Sequence, residues 1–107
     1  MFARLLEMNV RIDRKPELLR KVKEEIIPIL KKQVGFMDIL VLENETEPHR
    51  PFVVSFWHTR LDMERYEREN FPKVRTIMDP FLYVPPIVKL CKVEQTLTGK
   101  IMEAVAA

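Results

Sequence analysis

The sequence predicts an α+β fold in which strands and helices follow the order β-α-β-β-α-β. Three observations carry that prediction. Residues 2–12, FARLLEMNVRI, alternate with a period of two, whereas DRKPELLRKVKEEIIPILKKQV repeats its apolar residues every three to four positions. Two short β-rich runs, FMDILVLEN and FVVSFW, are then separated by one polar, proline-bearing stretch, ETEPHRP. Side chains alternate across a strand and recur once per turn on a helix, so the two periods separate the two element types.

In the first strand, Phe2, Leu6, Met8, Val10 and Ile12 share one face, and Ala3, Leu5, Glu7, Asn9 and Arg11 share the other. The first helix carries Leu18, Leu19, Val22, Ile26 and Leu30 as its apolar stripe. Pro16 falls in the first turn, where a missing N–H costs nothing. Pro28 falls inside the pattern and removes the bond to the carbonyl of Glu24, which predicts a kink. Gly35 is placed to end the helix in the left-handed conformation. The second strand, FMDILVLEN, and the third, FVVSFW, are apolar on both faces, with Phe52, Val54 and Phe56 opposite Val53, Ser55 and Trp57. Thr59, three residues before Asp62, starts a second helix with a capping-box pattern. That helix presents Met63, Tyr66, Val74, Ile77 and Met78, and Pro72 divides it in two. DPFLYVPP leads into a fourth strand, IVKLCKVEQTL. Residues 1–97 thus form one domain, and 98–107 a tail with a possible short helix.

This order is the ferredoxin-like split βαβ plan, with a four-stranded antiparallel sheet and both helical segments on one face. The other face has no cover of its own. Because strands two and three are apolar on both sides, a single copy would leave a large apolar surface in water. Two sheets packed face to face, as a homodimer with helices outside, would remove it.

Bulk composition narrows the partners. Eighteen basic and 16 acidic residues give a net charge of +2 with no basic block, which argues against nucleic acid. No stretch approaches the roughly 18 uninterrupted apolar residues of a membrane span. The first residues, MFARLLEMNVRID, lack a signal-peptide pattern, and the single cysteine, Cys91, fits a reducing compartment; a cytoplasmic location is the expectation. Cys91 lies in a strand and reads as a buried structural thiol. Two isolated histidines offer no metal-ligand spacing, and Gly35 and Gly99 are the only glycines, so no phosphate-binding glycine loop exists.

With QVGFMDILVLEN, VVSFWHTRLDMERYERENF and FLYVPPIVKLCKVE in place, the chain resembles the antibiotic biosynthesis monooxygenase family of dimeric α+β barrels, from about residue 2 to about residue 97. The resemblance implies a cavity between sheet and helices. It also implies a choice among cofactor-independent oxidation of phenolic molecules, haem degradation and functions without catalysis. Haem-degrading relatives place a histidine about ten residues after the strand-three tryptophan. Trp57 matches that tryptophan, but the histidine position falls at Glu67, and a carboxylate is not a usual haem ligand. The asparagine of strand one falls at Met8, one residue before Asn9. The cofactor-independent oxygenases often carry an asparagine four residues before the tryptophan, where this chain has Val53.

The leading expectation is a cofactor-independent monooxygenase-like enzyme for a small aromatic or quinone-type molecule. Trp57, Ser55, Tyr66 and Phe56 are the candidate substrate-binding residues, and His58 and Asn9 the candidate proton-handling groups. No metal and no cofactor are expected. Alternation sends His58 to the face opposite Trp57. His49 reads as a solvated loop residue, and Glu64, Arg65, Glu67, Arg68 and Glu69 as a solvated helix face. The alternative is a non-enzymatic ligand-binding or structural dimer on the same fold.

Overall fold

The computed structural model of the chain describes residues 1–94; the expected terminal helix lies outside the described residues. Four strands, β1 (Phe2–Glu7), β2 (Phe36–Leu42), β3 (Phe52–Trp57) and β4 (Ile87–Lys92), form one antiparallel sheet in the order β2-β3-β1-β4. The helices are α1 (Lys15–Lys21), α2 (Ile27–Lys31), α3 (Arg60–Glu69) and α4 (Phe71–Met78). This is the ferredoxin-like arrangement, and the core lies between the sheet and its helical layer. Leu6, Met8 and Trp57 meet Leu18, Ile26 and Leu30 from the first helical run, and Met63, Tyr66, Phe71, Val74 and Met78 from the second.

The C-terminal limit of β1 has a simple cause. Glu7 is opposite Phe52 and Ile87, the first residues of β3 and β4, so a longer β1 would have no ladder to join. The strand expected to reach residue 12 therefore stops at Glu7. Beyond it, loops take over the backbone groups: Val10 donates to the His49 carbonyl at 2.8 Å, and Tyr83 donates to the Asn9 carbonyl at 2.9 Å. β4 likewise ends at Lys92, opposite Phe2, rather than running on.

Pro28 acts one turn earlier than a simple kink would require. Between α1 and α2 the chain widens into a π turn, Val22–Ile26, in which the Ile27 N–H reaches the Val22 carbonyl. The wider turn absorbs the bond that Pro28 cannot donate. Pro72, in contrast, starts α4 from its first turn, as the sequence leads one to expect.

At the other end of the sheet, Gly35 has φ +81°. A Cβ there would run into the Asp62 side chain at the start of α3. Asp62 is held in place by Thr59: its N–H donates to Thr59 Oγ1 at 3.1 Å, and the hydroxyl donates back to Asp62 Oδ2 at 2.8 Å. His58 N–H closes the corner on the Gly35 carbonyl at 2.9 Å.

No described element covers the second face of the sheet. The register places Leu5, Val54, Phe56, Leu40, Leu42 and Ile87 on it, and Leu40 and Leu42 are each 45% exposed. Cys91 aligns with Ala3 on this face of an edge strand and is exposed, correcting the expectation of a buried thiol.

Candidate active site

A small cavity lies between the sheet and the helical layer. Most of its wall is aliphatic, supplied by Leu6, Met8, Ile26, Leu30, Val53 and Met78 among others, and three polar residues enter it: Arg4, Ser55 and Tyr66. The enclosed space is about 40 Å³, room for water beside the polar groups. Met8 and Met78 are unbranched and can repack around a larger occupant.

Arg4 is the unexpected member. It occupies an inward position of β1, between Phe2 and Leu6, and is 4% exposed. A buried charge needs a partner, and Arg4 Nε donates to the Glu67 carboxylate of α3. One face of the guanidinium lies over the Phe71 ring, 3.9 Å from its centroid, with the Tyr66 ring at 5.3 Å. Arg4 Nη2, also buried, has no hydrogen-bond acceptor among the described residues. A buried donor without an acceptor costs on the order of 1–3 kcal/mol, and this nitrogen is the one fully buried side-chain atom without a partner among the described residues.

Glu67 therefore does not belong to a solvated helix face. Its side chain is about one-third exposed and turned toward Arg4. The haem ligand expected at this position is a histidine nitrogen, but α3 contains no histidine and the Glu67 carboxylate in its place is engaged by Arg4. The residues present do not fit haem.

Trp57 is fully buried, and its indole N–H donates to Ser55 Oγ at 2.9 Å. The pair comes from the same strand two residues apart, so both side chains share the helix-covered face. Tyr66 stacks on Trp57 with centroids 5.1 Å apart and planes at 27°, while Phe36 meets the indole edge-on at 5.5 Å. Burial pushes the Tyr66 phenol up to about 12, against a downward pull from Arg4 and with a smaller upward push from Glu67. At neutral pH its hydroxyl is a hydrogen-bond donor and not a base.

Three other expected site residues are elsewhere. Phe56 pairs with Ala3 and faces the uncovered side of the sheet, where strand alternation puts it. His58 is exposed beyond the end of β3. Asn9 lies past the end of β1 in a surface depression with Glu7, Asn44 and Arg50. The structure thus unites Trp57, Ser55 and Tyr66 and separates all three from Phe56, His58 and Asn9. Arg4 was visible as the one charge in the inward set of positions 2 to 12; the signal for its partner was a carboxylate at the helix position ten residues after Trp57.

The β-α-β-β-α-β order and the antiparallel sheet with its helices on one face define the class, a ferredoxin-like α+β domain. The chain belongs to the antibiotic biosynthesis monooxygenase family, whose model matches residues 1–71. No curated protein sequence matches it. Among solved structures it is similar to SnoaB, a cofactor-independent oxygenase from Streptomyces nogalater, at 15% identity and a TM-score of 0.72, covering 90% of this chain and 95% of that one. The monooxygenase from the ActVA-Orf6 gene of Streptomyces coelicolor, solved with nanaomycin D, gives 13% identity and a TM-score of 0.73 over 90% and 89% of the two chains. A conserved protein from Methanosarcina mazei Go1 gives 14% and 0.73 over 88% and 94%. At these identities the likeness is one of fold. No helix among the described residues is long and apolar enough to cross a membrane.

Proposed function

We propose that this chain is a cofactor-independent monooxygenase for a small phenolic or quinone-forming molecule, working as a homodimer joined through the uncovered sheet face. The observation that supports the reading most is the polar cluster of Arg4, Tyr66 and Ser55 inside an otherwise aliphatic cavity. A phenolic ligand needs those two things together: donors for its oxygen, and dry walls around the electron-rich ring. In such a reaction the ionised ring passes electrons to dioxygen, a ring CH₂ becomes C=O, and the second oxygen atom leaves as water. Tyr66 forms the aromatic side of the pocket, with Trp57 stacked behind it and its indole fixed by Ser55.

Oxygen uptake with a panel of hydroquinones and anthrone-like phenols tests the proposal. Turnover by the parent protein is expected, with loss of at least about tenfold in Tyr66→Phe, the scale of one lost donor at the reacting oxygen. His58→Ala should match the parent, because His58 is exposed and outside the cavity. A complete absence of uptake across the panel would leave the alternative, a ligand-binding dimer without catalysis.

A further inference from the structure

The proposed function leaves open how the phenol becomes ionised. Among the described residues the cavity wall contains no carboxylate and no imidazole; it is Arg4, Ser55 and Tyr66 set among aliphatic side chains. Arginine stays protonated at any working pH and cannot accept a proton. We propose that the cavity does not generate the anion but selects it: Arg4 Nη2 is the recognition group for an ionised phenol or enol oxygen, taken from solution already deprotonated. The inference rests on the phenolic reading of the site.

Three features of Arg4 lead there. Its guanidinium is fixed on two sides, by Glu67 at Nε and by the Phe71 ring beneath its plane, so the remaining Nη2 edge has a set direction. That nitrogen is buried and without an acceptor among the described residues, and Arg4 is part of the cavity wall. A charge-assisted bond to an oxyanion would satisfy it more strongly than one to a neutral oxygen. The surroundings do not compete for it. From β3 come Val53 and Ser55, whose hydroxyl already accepts from Trp57. The π turn supplies Val22 and Ile26, and α4 supplies Val74 and Met78. The titratable groups facing Arg4 are both on α3: Glu67, which binds Nε, and Tyr66. Glu67 also sets the affinity, because its negative charge offsets part of the positive charge offered to a ligand.

The charge relation gives a test with opposite signs for two neighbouring residues. 4-Nitrophenol, whose anion absorbs in the visible, is titrated with the full chain across pH 5–9. The bound dye should ionise about one unit or more below the free dye, since an adjacent cation favours the charged form. In Arg4→Met the depression should vanish and affinity for the anion should fall about tenfold or more. In Glu67→Gln affinity should rise, because Arg4 keeps its charge and loses its counter-charge. That second arm holds even where Arg4→Met fails to fold. Failure of millimolar dye to bind, bound dye that ionises at or above its free value, or a Glu67→Gln variant no tighter than the parent would each overturn the assignment. Binding of the anion without oxygen uptake would keep this inference and remove the oxygenase reading. Turnover with a normal dye titration would do the reverse.

Discussion

Tyr66 touches Trp57, Phe71 and Arg4, and it is 2% exposed. Its phenol titrates near 12 in the fold against about 10 in an unfolded chain. The proton is held more tightly in the native state, so its contribution to stability is complete below pH 10 and disappears as pH rises through 12. Roughly 2–3 kcal/mol is at stake, from a shift of about two units at 1.36 kcal/mol each. Denaturant melts at pH 9, 10.5 and 12 should show the parent losing more stability than Tyr66→Phe over that interval; equal slopes would contradict the assignment. At this scale the sequence was only half legible. Period-two alternation put Trp57 and Ser55 together and sent Phe56 away, and that rule was sufficient. It could not say that Arg4, a charge among apolar neighbours, would be kept inside, because its Glu67 partner is 63 residues distant.

The elements are joined by local chemistry that is easier to read. Gly35 ends the first helical run with positive φ, and Thr59 caps α3. What no local pattern contains is that these two corners touch, with Asp62 occupying the space a side chain at 35 would need. Gly35→Ala therefore meets two penalties, about 1–2 kcal/mol for the left-handed backbone and a steric conflict with Asp62. A loss of more than about 2 kcal/mol in equilibrium unfolding is expected, larger than backbone conformation alone would cost. A loss below about 1 kcal/mol would mean that the corner relaxes freely. Pro28 teaches a related lesson. A proline inside a helical pattern announces a missing bond, but whether the helix bends or widens is decided by what it packs on. Here the π turn keeps Val22 and Ile26 on the cavity side.

For the molecule as a whole, the decisive feature is the sheet face that no described element covers. Two-sided apolar strands made it legible in the sequence, and the register shows which side chains line it. Leu40 and Leu42 stand there half-exposed, which a lone small domain would not normally sustain across several strands. Light scattering at micromolar concentration should give the mass of two chains for the parent. A Leu40→Lys/Leu42→Lys variant should give the mass of one, with its fold intact by circular dichroism. A parent that scatters as a single chain would refute the pairing.

The lone tryptophan has a practical consequence. Trp57 is sealed from solvent and is separated from the cavity only by Ser55 and Tyr66, both of which it touches. With no second indole in the sequence, emission excited at wavelengths too long for the two tyrosines comes from one emitter in one known place. Its blue-shifted colour would report that the wall is dry. Quenching by an electron-poor quinone would report that something has come to lie against it. The protein thus carries its own optical gauge of the pocket, requiring no label and no substitution.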